Sequence, residues 1–116
     1  MTDIMDRHAA LSALSGSEEL LGELARIFCE DAPRTLHEVG NLLTTGDVAQ
    51  SLRAVHKLKG QASAFFSSRT TSLILKLEDR LSNEPEHAEL NELFHDVSRQ
   101  VTELCRHLRS AEFHSK

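Results

Sequence analysis

The sequence predicts an all-α fold, an up-down-up-down four-helix bundle with a short additional N-terminal helix. Three observations carry this prediction. The 116 residues include five Gly, two Pro, no Trp and no Tyr, and Leu, Ala, Glu, Lys and Arg recur without β-branched runs, a mix that favours helix over strand. Apolar residues return at spacings of three and four along most of the chain, the period of an amphipathic helix. The breaks between these stretches are short, so consecutive helices must fold back on one another.

Length and charge bound the function. A chain of 116 residues is one domain's worth, with a bundle core at about 6–110, and buries roughly 65% of its unfolded surface. With 40% hydrophobic and 27% charged residues it is too apolar to be disordered. No apolar run approaches the roughly 20 residues of a membrane helix, and Met1-Thr2-Asp3-Ile4 lacks a signal-peptide pattern. The net charge of −5 argues against nucleic acid and anionic membranes as partners. Cys29 and Cys105 have no metal-ligand spacing and imply no disulfide framework; both fall near apolar stripes and are expected in the core. A cytoplasmic, monomeric protein is the expectation.

The elements follow in order. Residues 6–14 read as a short helix, broken by Ser15-Gly16-Ser17. Ser17 can cap the next helix, with Glu18 and Glu19 complementing its dipole; Ser15 with Glu18 is an alternative capping box. Leu20, Leu24, Ile27, Phe28, Leu36, Val39 and Leu43 form an apolar set interrupted by Pro33. The stripe resumes in phase without turn residues, which predicts a kinked helix to about Thr45 rather than two helices. Gly46-Asp47 turns the chain, and Asp47 with Gln50 repeats the capping-box pattern. A third long helix is predicted from Asp47 to Phe66, ended by Ser67-Ser68, either of which can cap the following helix with Leu73, Ile74, Leu77 and Leu81. Ser82-Asn83-Glu84-Pro85 is a loop. The last helix starts near Glu86, where Leu90, Phe94, Val97, Val101, Leu104 and Leu108 make a seam typical of near-parallel packing. This seam is expected to be intramolecular core, as are Phe28, Phe65 and Phe94. Residues 110–116 are expected to fray.

The third helix carries the chemistry. At 100° per residue, Val48, Val55, Leu58, Ala62, Phe65 and Phe66 group toward the core, and His56 lies roughly 130° from the centre of that stripe. Lys59 and Gly60 are its i+3 and i+4 neighbours. Ser63 continues the line and Leu52 leans toward it from one turn back. Gly60 in mid-helix costs roughly 1 kcal/mol relative to Ala, and its missing side chain opens space beside the ring. An approachable imidazole, a mobile cation and an apolar rim suit an anion carried on another protein, with a phosphoryl group the first candidate. Imidazole is a nucleophile substantially neutral at cellular pH, and lysine is a point charge for phosphate oxygens.

The segment Ala54-Val55-His56-Lys57-Leu58-Lys59-Gly60 resembles the His-x-x-Lys-Gly signature of histidine-containing phosphotransfer (HPt) domains. Phe28-Cys29-Glu30-Asp31-Ala32-Pro33, Leu36, Gly46-Asp47 and Leu77-Glu78 are similar to further family features, so the resemblance spans about residues 10–110. It implies a phosphorelay carrier without kinase activity or cofactor, in which His56 accepts a phosphoryl group from the phospho-aspartate of a response-regulator receiver domain and passes it to another receiver. A hybrid histidine kinase is the expected source. Lys59 would steady the phosphoryl charge and Gly60 keep the approach open, with Leu52, Lys57 and Ser63 contacting the partner. Mg²⁺ and the acidic residues would belong to the receiver. The chain departs from the family at Gln61, usually a small residue, and at Phe66, usually Gly. Gln61 is expected to project away from His56, and Phe66 to fill the end of the core or, if it protrudes, to narrow partner choice.

Plainer readings stand beside these. His56 and Lys59 could be solvated surface residues, and Gly60 a packing glycine at a close helix crossing. His8, His37, His87, His95, His107 and His114 show no metal-ligand grouping. No nucleophile–base–orienter trio or Gly-rich loop indicates an ATP-using enzyme. The alternative functions are a receiver-binding adaptor without phosphotransfer, to which Gln61 and Phe66 give weight, and a phosphoacceptor served directly by a separate histidine kinase.

Overall fold

Local chemistry at the helix starts shapes the chain. In a computed structural model describing residues 4–85 and 88–110, the helices are α1 (Arg7–Ala13), α2 (Glu18–Thr45), α3 (Val48–Ser63), α4 (Ser68–Asn83) and α5 (Leu90–Arg109). Four open on a side-chain cap, which satisfies an otherwise orphaned amide. Asp6 accepts from the Ala9 amide at 3.0 Å, Ser17 from Leu20 at 3.1 Å, Asp47 from Gln50 at 3.0 Å and Ser67 from Thr70 at 3.3 Å. Ser17 is therefore the cap, and Ser15 instead reverses the chain at φ 56° ahead of Gly16 at φ 80°. Gln50 also reaches Asp47 side chain to side chain, at 3.0 Å. The amide and amide-side-chain bonds from Gln50 hold the Asp47 carboxyl below its usual range. The expected start of α5 at Glu86 lies outside the described residues; Ala88 and Glu89 form a turn and the helix begins at Leu90. Residues 111–116, where fraying is expected, also lie outside them.

α2 runs unbroken through Pro33. Proline has no N–H for the carbonyl four residues earlier, which here belongs to Cys29. Arg109 of α5 fills the gap: its Nη2 donates to the Cys29 carbonyl at 3.3 Å. One helix thus repairs its neighbour's lost bond, and the Pro33 position need not end α2.

α2 packs on α3 and α5, and α4 packs on the same two, closing a four-membered ring with α1 laid on α2. Phe28 meets Phe65 with ring centroids 5.1 Å apart, the Cys29 thiol donates to the Cys105 carbonyl at 3.7 Å, and Gly40 faces Phe94. These pairings make α2 antiparallel to both neighbours, as the up-down-up-down prediction requires. At about 1.5 Å per residue, the 28 residues of α2 account for most of the 47 Å long axis. Burial pushes the Cys105 thiol up to about 12, so it stays protonated and behaves as a core residue.

Three details differ from expectation. The buried stripe of α2 is Leu21, Ala25, Phe28, Ala32, Thr35 and Val39, whereas Leu20 is 51% and Ile27 42% exposed. Small residues hold core positions there and let the helices approach. On α5, Leu93 takes the seam and Phe94 is half-buried beside Gly40, where a methyl group would stand 3.2 Å from the ring. α3 ends at Ser63, not Phe66. Phe66 adopts φ 51°, a left-handed conformation that is costly for a bulky residue. Beyond Ser63 the helical projection no longer applies, so the turn sends Phe65 into the core and leaves Phe66 46% exposed.

The Arg109 contact gives a stability prediction. Arg109→Met should lower the unfolding free energy by about 1 kcal/mol in denaturant titration. The loss should shrink in a Pro33→Ala background, where residue 33 regains the donor for Cys29.

Candidate functional site

α3 is buried through Ser51, Ala54, Val55, Leu58 and Ala62, which fixes what the opposite face presents. His56 projects from that face with its side chain 72% exposed. It stands at the edge of an open groove between α3 and α4, lined by Leu52, Arg53, Lys57, Leu75, Glu78 and Asp79. Leu52 is half-buried and Leu75 is 46% exposed, so the groove has an apolar floor next to the imidazole and charged walls.

Lys59 is not the free cation that the sequence suggests. Its Nζ donates to Glu78 Oε1 at 2.9 Å, across from α3 to α4, with side chains 28% and 24% exposed. The other carboxylate oxygen, Oε2, lies 3.5 Å from His56 Nδ1. Glu78 thus bridges the imidazole and the ammonium. The hydrogen bond from Lys59 outweighs partial burial and holds the Glu78 carboxyl below its usual value of 4.5. A depressed carboxylate contributes stability above its unfolded-state value and loses it as pH falls through the folded value. The contribution of this pair to the seam between α3 and α4 is therefore lost in acid.

Gly60 settles one of the plain readings. A Cβ built there meets nothing within 4 Å, so no close helix crossing requires the glycine. The residue costs helix stability and leaves open space one turn beyond His56. Ser63, on the same line, donates its hydroxyl to the Gly60 carbonyl at 2.9 Å and does not line the groove. Lys57 does line it, exposed, on the flank away from Lys59. Gln61 does not line the groove, and its Oε1 is buried without a hydrogen-bond partner among the described residues. That is an unfavourable environment for an amide oxygen.

Sequence reasoning missed Glu78 as a site residue and Leu75 as part of the groove. A usable signal existed for Glu78. Ser67, the turn between α3 and α4, stands eleven residues from His56 and eleven from Glu78, so an antiparallel hairpin sets the two opposite each other. Among the described residues no group of three His, Cys, Asp or Glu side chains could hold a metal ion; His87 and His114 lie outside them. No helix among the described residues is long and apolar enough to cross a membrane.

Fold and site together define a helical bundle that presents one histidine, flanked by a lysine and a glycine, on an uncovered helix face. The Hpt domain family model matches residues 23–111, and the chain belongs to that family. Among solved structures it is similar to histidine-containing phosphotransfer protein B (HptB) from Pseudomonas aeruginosa PAO1, with 20% identity, a TM-score of 0.83 and coverage of 100% of this chain and 99% of that one. It is also similar to a rice protein provisionally named a histidine-containing phosphotransfer protein, with 18% identity, a TM-score of 0.60 and coverage of 92% and 85%. At these identities the two structures speak for the bundle fold. No protein with a curated description matches the chain in sequence. Family membership supports a histidine phosphotransfer role in a phosphorelay.

The empty space at Gly60 yields a prediction in which stability and function part ways. Gly60→Ala should raise the unfolding free energy by up to about 1 kcal/mol in thermal or denaturant melts. A bulkier Gly60→Leu should fold equally well and slow phosphoryl transfer at least tenfold. Destabilisation by the alanine would return the glycine to a packing role.

Proposed function

We propose that His56 is the phosphoacceptor of this chain, and that it relays a phosphoryl group between the aspartates of receiver domains as a cytoplasmic monomer. The observation that carries the reading is the bridge from Glu78 to both His56 Nδ1 and Lys59 Nζ. A carboxylate only accepts hydrogen bonds at neutral pH. Placed at Nδ1, it favours the tautomer that keeps its proton there and leaves the Nε2 lone pair facing solvent. In the forward step Nε2 attacks the phosphorus of a receiver phospho-aspartate in line with the departing oxygen. The Nε2–P bond forms, the P–O bond breaks, and its electron pair leaves with the receiver's carboxylate. The proton remains on Nδ1, and the ring's new positive charge faces Glu78. Lys59 is one helical turn away and supplies charge to the phosphoryl oxygens. Mg²⁺ and the remaining catalytic apparatus sit on the receiver, so this side of the reaction is mostly positioning. The chain requires no cofactor of its own.

The groove supplies the docking surface. Leu52 and Leu75 offer an apolar anchor beside the reacting nitrogen, and Arg53, Lys57 and Asp79 set charge complementarity around it, which governs encounter rate more than final affinity. Ser63, exposed past Gly60 on the same helix line and outside the groove, is a further receiver contact. A hybrid histidine kinase carrying its own receiver domain is the natural donor.

Incubation with phosphorylated receiver domains should place an acid-labile label on the wild-type chain and none on His56→Gln, with helicity by circular dichroism unchanged. Lys59→Ala should slow labelling about tenfold at saturating receiver. Label that survives His56→Gln removes the assignment; receiver binding without label favours an adaptor; and labelling by a histidine kinase that lacks a receiver favours direct phosphorylation.

The anchor has a separate signature. Leu75→Asp should raise the receiver concentration needed for half-maximal transfer about tenfold and leave the saturated rate within about twofold, because it removes an apolar contact from the interface core. A fall in the saturated rate alone would move Leu75 out of the docking role.

A further inference from the structure

We infer that Glu78 sets how far phosphoryl transfer from His56 to a receiver proceeds, by competing with the phosphoryl group for the Lys59 ammonium. This rests on the reading of His56 as the phosphoacceptor.

Orientation of the ring does not require a charge. A glutamine at position 78 could accept from Nδ1–H through its amide oxygen equally well. The negative charge therefore has an effect of its own, and it falls on Lys59, held at 2.9 Å by one oxygen while the other lies 3.5 Å from Nδ1. In the unphosphorylated protein one cation and one anion pair directly. A phosphoryl group adds about −1.5 to −2 charge at neutral pH. Once it sits on Nε2, the ring's added positive charge is more than offset by the phosphoryl group bonded to it, so the same ammonium still serves two anions, and Glu78 and the phosphoryl oxygens repel each other across the ring. Among the described residues, the groups that hold the Glu78 carboxyl down are Lys59 and His56 alone. The other charged groups of the groove are Arg53 and Lys57 on α3 and Asp79 on α4, and Lys59 is the cation in contact with Glu78.

The consequence is thermodynamic. Charge crowding raises the free energy of the phosphorylated state and leaves the unphosphorylated state paired, so transfer outward is favoured. In that step the Nε2–P bond breaks with its electron pair returning to Nε2, a P–O bond forms to the receiver's aspartate, and the Nδ1 proton stays in place. The Lys59–Glu78 pair re-forms as the phosphoryl group departs.

The test is an equilibrium measured in a double-mutant cycle. The chain is loaded with phosphoramidate as donor, freed of it, and mixed with the receiver domain that labels His56 fastest in the experiment above. The ratio of phosphohistidine to phospho-aspartate is read by ³¹P NMR, with His56→Gln assigning the His56 signal. Glu78→Gln should move the ratio about fivefold toward phosphohistidine, the size expected for one partly exposed charge pair. In a Lys59→Ala background the same substitution should move it less than about twofold. A ratio unchanged by Glu78→Gln, one that moves toward the receiver, or an equal shift with and without Lys59 overturns the inference. If His56 takes no label in the wild type, the phosphoacceptor reading fails first. If it is labelled and transfers normally while the ratio ignores Glu78, only the competition is wrong.

Discussion

One helix with two incompatible faces governs this molecule. Val55 and Leu58 of α3 are fully buried, and α3 contacts both α2 and α4, so its rotation about its own axis is fixed by the core. That rotation decides where His56 points. With Val55 inward, a residue one step further along the helix is turned about 100° away, onto the flank facing α4. The imidazole is therefore presented by burial of its neighbours and not by contacts of its own. Its one polar contact among the described residues, Glu78, comes from the next helix. Exposure and orientation have separate sources, which allows the ring to be accessible and yet held.

The seam between α3 and α4 is where fold and chemistry share residues. Lys59 and Glu78 are each about one-quarter exposed, too wet for a strong structural ion pair and too enclosed for full screening. Such a pair adds little to stability, while Leu58, Ile74 and Leu77 of the same two helices are fully buried in the shared core. Its effect is local: it places a carboxylate against the His56 ring. Cys29 and Cys105 on the other side of the bundle show the opposite case, two polarisable groups absorbed into the core and inert.

What the sequence made legible follows from how local each cause is. Ser17, Asp47 and Ser67 act on amides three residues away, so their capping roles were readable. The Leu and Val spacing of α5 identified its seam except at Phe94, where the deciding factor is a glycine on another helix. Gly40 is 54 residues distant in the chain, and no periodicity refers to it. On α2 periodicity favours large apolar residues such as Leu20 and Ile27, while the small Ala25 and Ala32 are the ones buried. His56, Lys59 and Gly60 lie within one helical turn and could be found together. Glu78 and Leu75 complete the site from a second helix, and locating them needs the register of the hairpin. Phe66 failed for a further reason. A single left-handed residue changes the direction of everything after it, and nothing in the side chain of phenylalanine announces that conformation.

Exposure carries a consequence for any group attached to His56. A ring with nearly three-quarters of its side-chain surface open cannot shelter a phosphoryl group by enclosure, because the groove is open to water along its length. An enzyme that guards a reactive intermediate closes a lid over it; this bundle has a continuous rigid helix on each side of the groove. Control over the attached group must then come from fixed charge, which acts without excluding solvent. In the proposed relay Lys59 would attract the phosphoryl oxygens and Glu78 oppose them, and because the two are joined by one hydrogen bond neither would act alone. On that proposal the two charges together would set both how well the group is held and how readily it moves on, while the open face would leave room for a partner's own apparatus to complete the reaction.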